Sequence, residues 1–153
     1  MKLVGKIFIM ILIDTNILVY AHNADSNLNR TAKRLILDAI DGKFESCITP
    51  QNLLEFFSII TNPKRVEKPL DPKIAHQEII NYWYSRMIHK IYPSNSAFLR
   101  VAKLVKDLGL SKTEIFDCFL YVTMEENNIH EIHTKNSHHF SKFPNLKVID
   151  PFI

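Results

Sequence analysis

The feature that most constrains this chain is the run LVGKIFIMILI over residues 3–13, which ends on Asp14-Thr15-Asn16. The run is too short to cross a bilayer as a helix. An Ile-rich stretch of this kind suits a central strand buried on both faces of a parallel sheet. A secretory leader is the rival reading, since Lys2 precedes the run. The lack of a small-residue cleavage site and the direct passage into Asp14 argue against it. Met10 offers an internal start with a compact MILIDTN opening, which would make residues 1–9 an extension.

Beyond Asp14, helical and extended signals alternate. Residues 15–22 read as a short helix, and a second runs after residues 23–27 to about Ile40, closed by Asp41-Gly42. Residues 45–49 read as a strand. Thr49-Pro50 opens a helix through Asn62, with Thr as N-cap and Pro at the first helical position. Residues 63–72 form a loop, followed by a helix over about 73–88 and a strand over 89–92. The spacing of Phe98, Val101, Leu104, Val105 and Leu108 predicts one apolar face of a helix over 95–109, stopped by Gly109. A helix from Ser111 to about Asn127 and strands at 131–134 and 147–149 complete the chain. This alternation predicts a single α/β domain over residues 1–153 with a parallel sheet. Such sheets place ligands at the carboxyl ends of their strands, which is where Asp14 lies.

Three glycines exclude a glycine-rich phosphate loop. A net charge of +3 permits an anionic partner without requiring one. Cys47 and Cys118 lie far apart in apolar stretches and read as core residues of a cytoplasmic protein.

The acidic residues carry the chemistry. Asp14, between strand and helix, reads first as an N-cap. Glu55 in LLEFF and Asp117 in EIFDCFLYV are acids inside apolar helical runs. Each needs a partner, either an Arg or Lys or a bound cation. Glu114 lies three residues after Ser111, and S-x-x-E is a capping box before it is a ligand. If Asp14, Glu55 and Asp117 meet within about 4 Å, each like-charged pair costs about 4 kcal/mol at an effective dielectric near 20. A shared proton or a divalent cation must offset that repulsion. Oxygen-only ligands favour Mg²⁺ or Mn²⁺ over zinc. The His130-x-x-His133 pair, without cysteines, makes a poor zinc site.

Four segments, in order, resemble the motifs of PIN domains, in particular the VapC-type toxins of toxin–antitoxin pairs. DTNILVYA looks like the first motif and TPQNLLEFFSIITNP like the second. SKTEIFDCFLYVTMEENNI looks like the third and HTKNSHHF like the fourth. The resemblance implies a PIN-like three-layer sandwich, with a central, mostly parallel β-sheet flanked by helices. It implies metal-dependent endonucleolytic cleavage of RNA, with Mg²⁺ or Mn²⁺ held by Asp14, Glu55 and Asp117 and with Glu114 as a further candidate. Thr15, Asn16, Thr134, Asn136 and His139 would support the acids or the phosphate. A homodimer and a cognate antitoxin are the implied protein partners, and no membrane is involved.

The fourth motif departs from the pattern. Asn136 and His139 stand where relatives offer an acid, which bears on a second metal ion more than on the first. A PIN-fold module that binds RNA or protein without cutting is therefore the alternative reading. An aspartate-nucleophile phosphatase would need a second Asp at the place of Asn16. For RNA, the candidate contacts are Lys64, Arg65 and Lys68 in the proline-rich loop, with Lys135 and His138. Tyr82, Trp83 and Tyr84 read as core-edge or dimer-contact residues before they read as a base-stacking platform.

Overall fold

The computed structural model of the protein describes residues 9–153. Among these, five strands form one sheet: β1 (Ile11–Ile13), β2 (Ser46–Ile48), β3 (Ile88–Lys90), β4 (Glu131–His133) and β5 (Lys147–Ile149). Their order is β3-β2-β1-β4-β5, and every adjacent pair is parallel. The helices are α1 (Thr15–His22), α2 (Asn29–Ile40), α3 (Pro50–Ile60), α4 (Pro72–Tyr84), α5 (Ala97–Leu108), α6 (Glu114–Glu126) and α7 (Ser137–Phe140).

The central strand separates two cores. Leu12 and Ile13 are both fully buried, on opposite faces of the sheet. Ile13 packs with Ile17, Ile36 and Phe56, from α1, α2 and α3. Leu12 packs with Val101 of α5 and with Val122 and Met124 of α6. The expectation of a strand buried on both faces is thus met where the chain is described. Residues 3–8 of the expected strand lie outside the described residues. Cys47 and Cys118 are free thiols in the second core.

Two local expectations are corrected. The helix expected over 73–88 ends at Tyr84, because Ile88 pairs with Ser46 in the sheet. Lys90 Nζ donates to the carbonyl oxygens of Ser85 and Ile88 at this junction. On α5, Phe98 is 70 % exposed and Leu108 42 % exposed, outside the apolar face expected for them. The buried pair is Ala97 and Val101, four residues apart on one face. Residues 137–140, to which the sequence alone assigns no element, form the short helix α7.

Candidate active site

Asp14 stands at the carboxyl end of the central strand. Its backbone N–H donates to the His133 carbonyl at 3.1 Å, continuing the β1–β4 ladder by one residue. It also caps α1, since Oδ1 accepts the Thr15 N–H at 2.7 Å. The capping reading is therefore right, and it leaves Oδ2 to other donors. Oδ2 accepts the Thr134 hydroxyl at 2.7 Å and Asn16 Nδ2 at 2.9 Å. Thr134 Oγ1 in turn accepts Asn16 Nδ2 and the Asn136 N–H, both at 3.0 Å. Asn16 Oδ1 accepts the Lys135 N–H at 3.0 Å. Each of these partners is neutral.

Burial pushes the Asp14 carboxyl up to about 6. The Thr134 and Thr15 hydrogen bonds pull it back, and the charges of Glu55 and Asp117 raise it further. Glu55 and Asp117 thus lie close enough for their charges to act on Asp14.

Glu55 is delivered by α3. Thr49 and Asn52 close a capping box: Thr49 Oγ1 accepts the Asn52 N–H at 3.1 Å and Asn52 Oδ1 accepts the Thr49 N–H at 2.9 Å. The fully buried Asn52 then donates Nδ2 to Thr15 Oγ1 at 3.2 Å, which joins α3 to α1. One turn later, Glu55 Oε2 accepts the Thr15 hydroxyl at 3.1 Å and Oε1 accepts Gln51 Nε2 at 2.7 Å. Neither Glu55 nor Asp14 has a Lys, Arg or His partner among the described residues. The ion-pair alternative for Glu55 is not what the fold adopts.

Asp117 lies in the first turn of α6, with Oδ2 3.2 Å from His139 Nδ1. Burial raises its pKa, while His139 and Lys142 oppose the rise. Gln51 Nε2 also donates to the carbonyl of Phe116, the residue before Asp117, at 3.0 Å. The three acids are thus linked in sequence: Asp14 to its neighbour Thr15, Thr15 to Glu55, Glu55 to Gln51, and Gln51 to the neighbour of Asp117. Even so, among the described residues no three histidine, cysteine, aspartate or glutamate side chains close around a single ion position.

The sequence profile of the PIN domain matches residues 11–146. The chain belongs to the PIN domain family. Ribonuclease VapC24 of Mycobacterium tuberculosis is 26 % identical to this PIN domain over 143 residues, covering 93 % of this chain and 97 % of the relative. VapC ribonuclease Mb2897 of Mycobacterium bovis is 26 % identical over 120 residues, or 78 % of this chain and 81 % of the relative. Among solved structures, Mycobacterium tuberculosis VapC20, described as a Sarcin-Ricin loop cleaving toxin, superposes with a TM-score of 0.64. It is 15 % identical and covers 90 % of this chain and 98 % of that one. VapBC2 from Rickettsia felis, bound to a DNA fragment from its promoter, gives a TM-score of 0.61. It is 19 % identical and covers 92 % and 98 % of the two chains. At these identities the superpositions establish the PIN fold.

The other residues singled out in this PIN domain lie partly beside the acids and partly away from them. Glu114 Oε2 accepts the Ser111 N–H at 2.9 Å, one half of a capping box, although the N-cap of α6 is Thr113, and its other oxygen pairs with Lys142. His138 is exposed, its ring edge-on to that of His139. Lys135 Nζ lies 3.0 Å from Asp150 and also faces the Phe152 ring. Lys64 and Arg65 are exposed, and Lys68 pairs with Asp25 at 2.8 Å. Val66, Glu67 and Lys68 of their loop line a cavity together with Val19 and His22 in the last turn of α1. That end of α1 is roughly 12 Å from the Asp14 end. Tyr82 and Trp83 pack edge-on against Phe56 and Tyr92. Among the described residues no helix is long and apolar enough to cross a membrane. Gln51, Asn52 and Lys142 were not foreseen. An amide in the first turn of a polar-starting helix carries no sequence signal that separates it from a surface residue.

Proposed function

We propose that this PIN domain is a divalent-cation-dependent endoribonuclease and the toxin member of a toxin–antitoxin pair. The observation that carries the reading is that Glu55 and Asp117 lie close enough for their charges to act on Asp14, while Asp14 and Glu55 have only neutral hydrogen-bond partners. Ionised acids so arranged call for a cation that the chain itself does not supply. The donors are all oxygens, which fits Mg²⁺ or Mn²⁺. Mg²⁺ keeps several waters and takes one or two carboxylates directly, so it does not require all three acids to touch it. Relatives named as ribonucleases and neighbours solved as toxin–antitoxin complexes support the same assignment. They also support an antitoxin as the partner protein.

Asp14, Glu55 and Asp117 would hold the cation. When bound, it would supply the acidity that activates a water and the charge that shields the phosphate. Thr15, Asn16 and Thr134 fix the two Asp14 oxygens and one Glu55 oxygen. His139 and Lys142 lie beside Asp117, on the flank where a phosphate oxygen would be received once the acids are neutralised. The Lys142–Glu114 pair commits Glu114 to that flank, so the reading rests on the other three acids.

A non-cutting binding module is the second reading, favoured by the His139–Asp117 contact. One experiment separates the two. RNA cleavage is measured with Mg²⁺, with Mn²⁺ and with EDTA, for the wild type and for Asp14→Asn, Asp117→Asn and His139→Asp. The expected result is cation-dependent cleavage, abolished by each Asp→Asn change and raised with Mg²⁺ by His139→Asp. Cleavage that persists in EDTA, or in both Asp→Asn variants, would overturn the assignment. A wild type that binds RNA and cuts none would establish the second reading.

A further inference from the structure

The Gln51 amide ties together two helices that belong to different cores. Helix α3 packs on α1 and α4 and belongs to one core, while α6 packs on α5 and α7 and belongs to the other. Glu55 and Asp117 therefore ride on different layers of the sandwich. Gln51 Nε2 donates to Glu55 Oε1 at 2.7 Å and to the Phe116 carbonyl at 3.0 Å. Both neighbours are acceptors, so the amide nitrogen has to face them and the oxygen has to face away. That oxygen, Oε1, is buried and meets no donor among the described residues. An orphaned acceptor lowers stability. The side chain thus makes two hydrogen bonds across the layers while leaving one buried acceptor unpaired.

We propose that Gln51 is a positioning residue, whose amide sets the separation of Glu55 and Asp117 across the two layers and so fixes the cation affinity of the site. The assignment rests on the cation-dependent reading above. It differs from a structural role in what it predicts for stability. Replacing Gln51 by methionine keeps the length and removes both donors and the orphaned oxygen. Glu55 and the Phe116 carbonyl remain within reach of water, since the former is half-buried and the Gln51–Phe116 bond is exposed.

The test compares wild type, Gln51→Met and, as a surface control, Gln77→Met. Mn²⁺ binding is measured by calorimetry, the melting midpoint in EDTA, and kcat and KM on an RNA oligonucleotide. Gln51→Met is expected to weaken Mn²⁺ binding about tenfold, as loss of a ligand's outer partner commonly does. It should lower kcat with KM unchanged and leave the melting midpoint equal or higher. Gln77→Met should change none of these. Unchanged Mn²⁺ affinity and kcat in a wild-type background that binds and cuts would overturn the role of Gln51 alone. A fall in the melting midpoint of Gln51→Met would make the residue structural and likewise overturn it. A wild type that neither binds Mn²⁺ nor cuts RNA would overturn the cation-dependent reading, and the role of Gln51 with it.

Discussion

The Thr134 hydroxyl donates to Asp14 Oδ2 at 2.7 Å, joining residues 120 positions apart. Thr134 is fully buried, and its oxygen accepts from Asn16 and Asn136 at the same time. Thr134→Val keeps the shape and removes all three contacts. Asp14 then loses the donor that does most to hold its pKa down. The carboxyl pKa, followed by ¹³C NMR without metal, should move above its present value of about 6. Stability in urea should fall by about 1–3 kcal/mol, the cost of leaving buried polar groups unpaired. An unmoved Asp14 titration would show that this hydroxyl does not control the acid.

The same acid gives the metal-free protein a pH dependence of definite sign. Asp14 rises from 3.8 to about 6 on folding, chiefly through burial. Between those values the folded state binds the proton more tightly than the unfolded state. Its contribution is therefore most favourable below the lower value and is lost as pH climbs through the upper one. By pH 7 the difference amounts to about 3 kcal/mol. In EDTA, urea midpoints should be higher near pH 5 than near pH 7. Asp14→Asn should flatten much of that slope, with the raised pKa of Asp117 leaving a smaller part. A wild-type stability that climbs from pH 5 to pH 7 would contradict the sign.

Basic residues expected to touch RNA divide into two groups. Lys135 is engaged with Asp150, whose side chain is only 9 % exposed. Lys135→Ala strands that carboxylate, so stability should drop by about 1–3 kcal/mol. RNA affinity should hold. Lys64 and Arg65 are exposed and have no ion pair among the described residues. The double change Lys64→Ala and Arg65→Ala should leave stability alone. It should lower the salt slope of RNA binding by about 1.4, near 0.7 per released charge on a single strand. Fluorescence anisotropy at several salt concentrations reads this directly. An unchanged slope would remove the loop from the RNA path.

The fold was legible wherever hydrophobic periodicity carried it. The double-sided burial of Leu12 and Ile13 followed from an apolar run with no polar alternation. Helix α3 announced itself through Thr49-Pro50, because a cap and an N1 proline are local devices. What sequence could not settle were decisions made by tertiary contacts. The end of α4 is set by Ile88 entering the sheet, and the exposure of Phe98 by which side of α5 meets α6.

The candidate site divides in the same way. Asp14, Glu55 and Asp117 stood out because a carboxylate in an apolar run demands explanation. The neutral groups that hold them had no such signal of their own. Thr134 and Asn16 came forward only through the family resemblance. Gln51 and Asn52 passed as ordinary polar residues near a helix start. Lys135 reads as a candidate RNA contact beside the fourth motif, and only folding brings Asp150 to it.

The strand order gives the site a timing. Strand β1 lies between β2 and β4, and β4 follows it by more than a hundred residues of chain. A growing polypeptide that stops short of Glu131 already carries all three acids. It lacks both the strand that seats the first acid and the hydroxyl that orients it. The first acid of a nascent chain is therefore seated and oriented only once residues 131–134 can reach β1, late in synthesis.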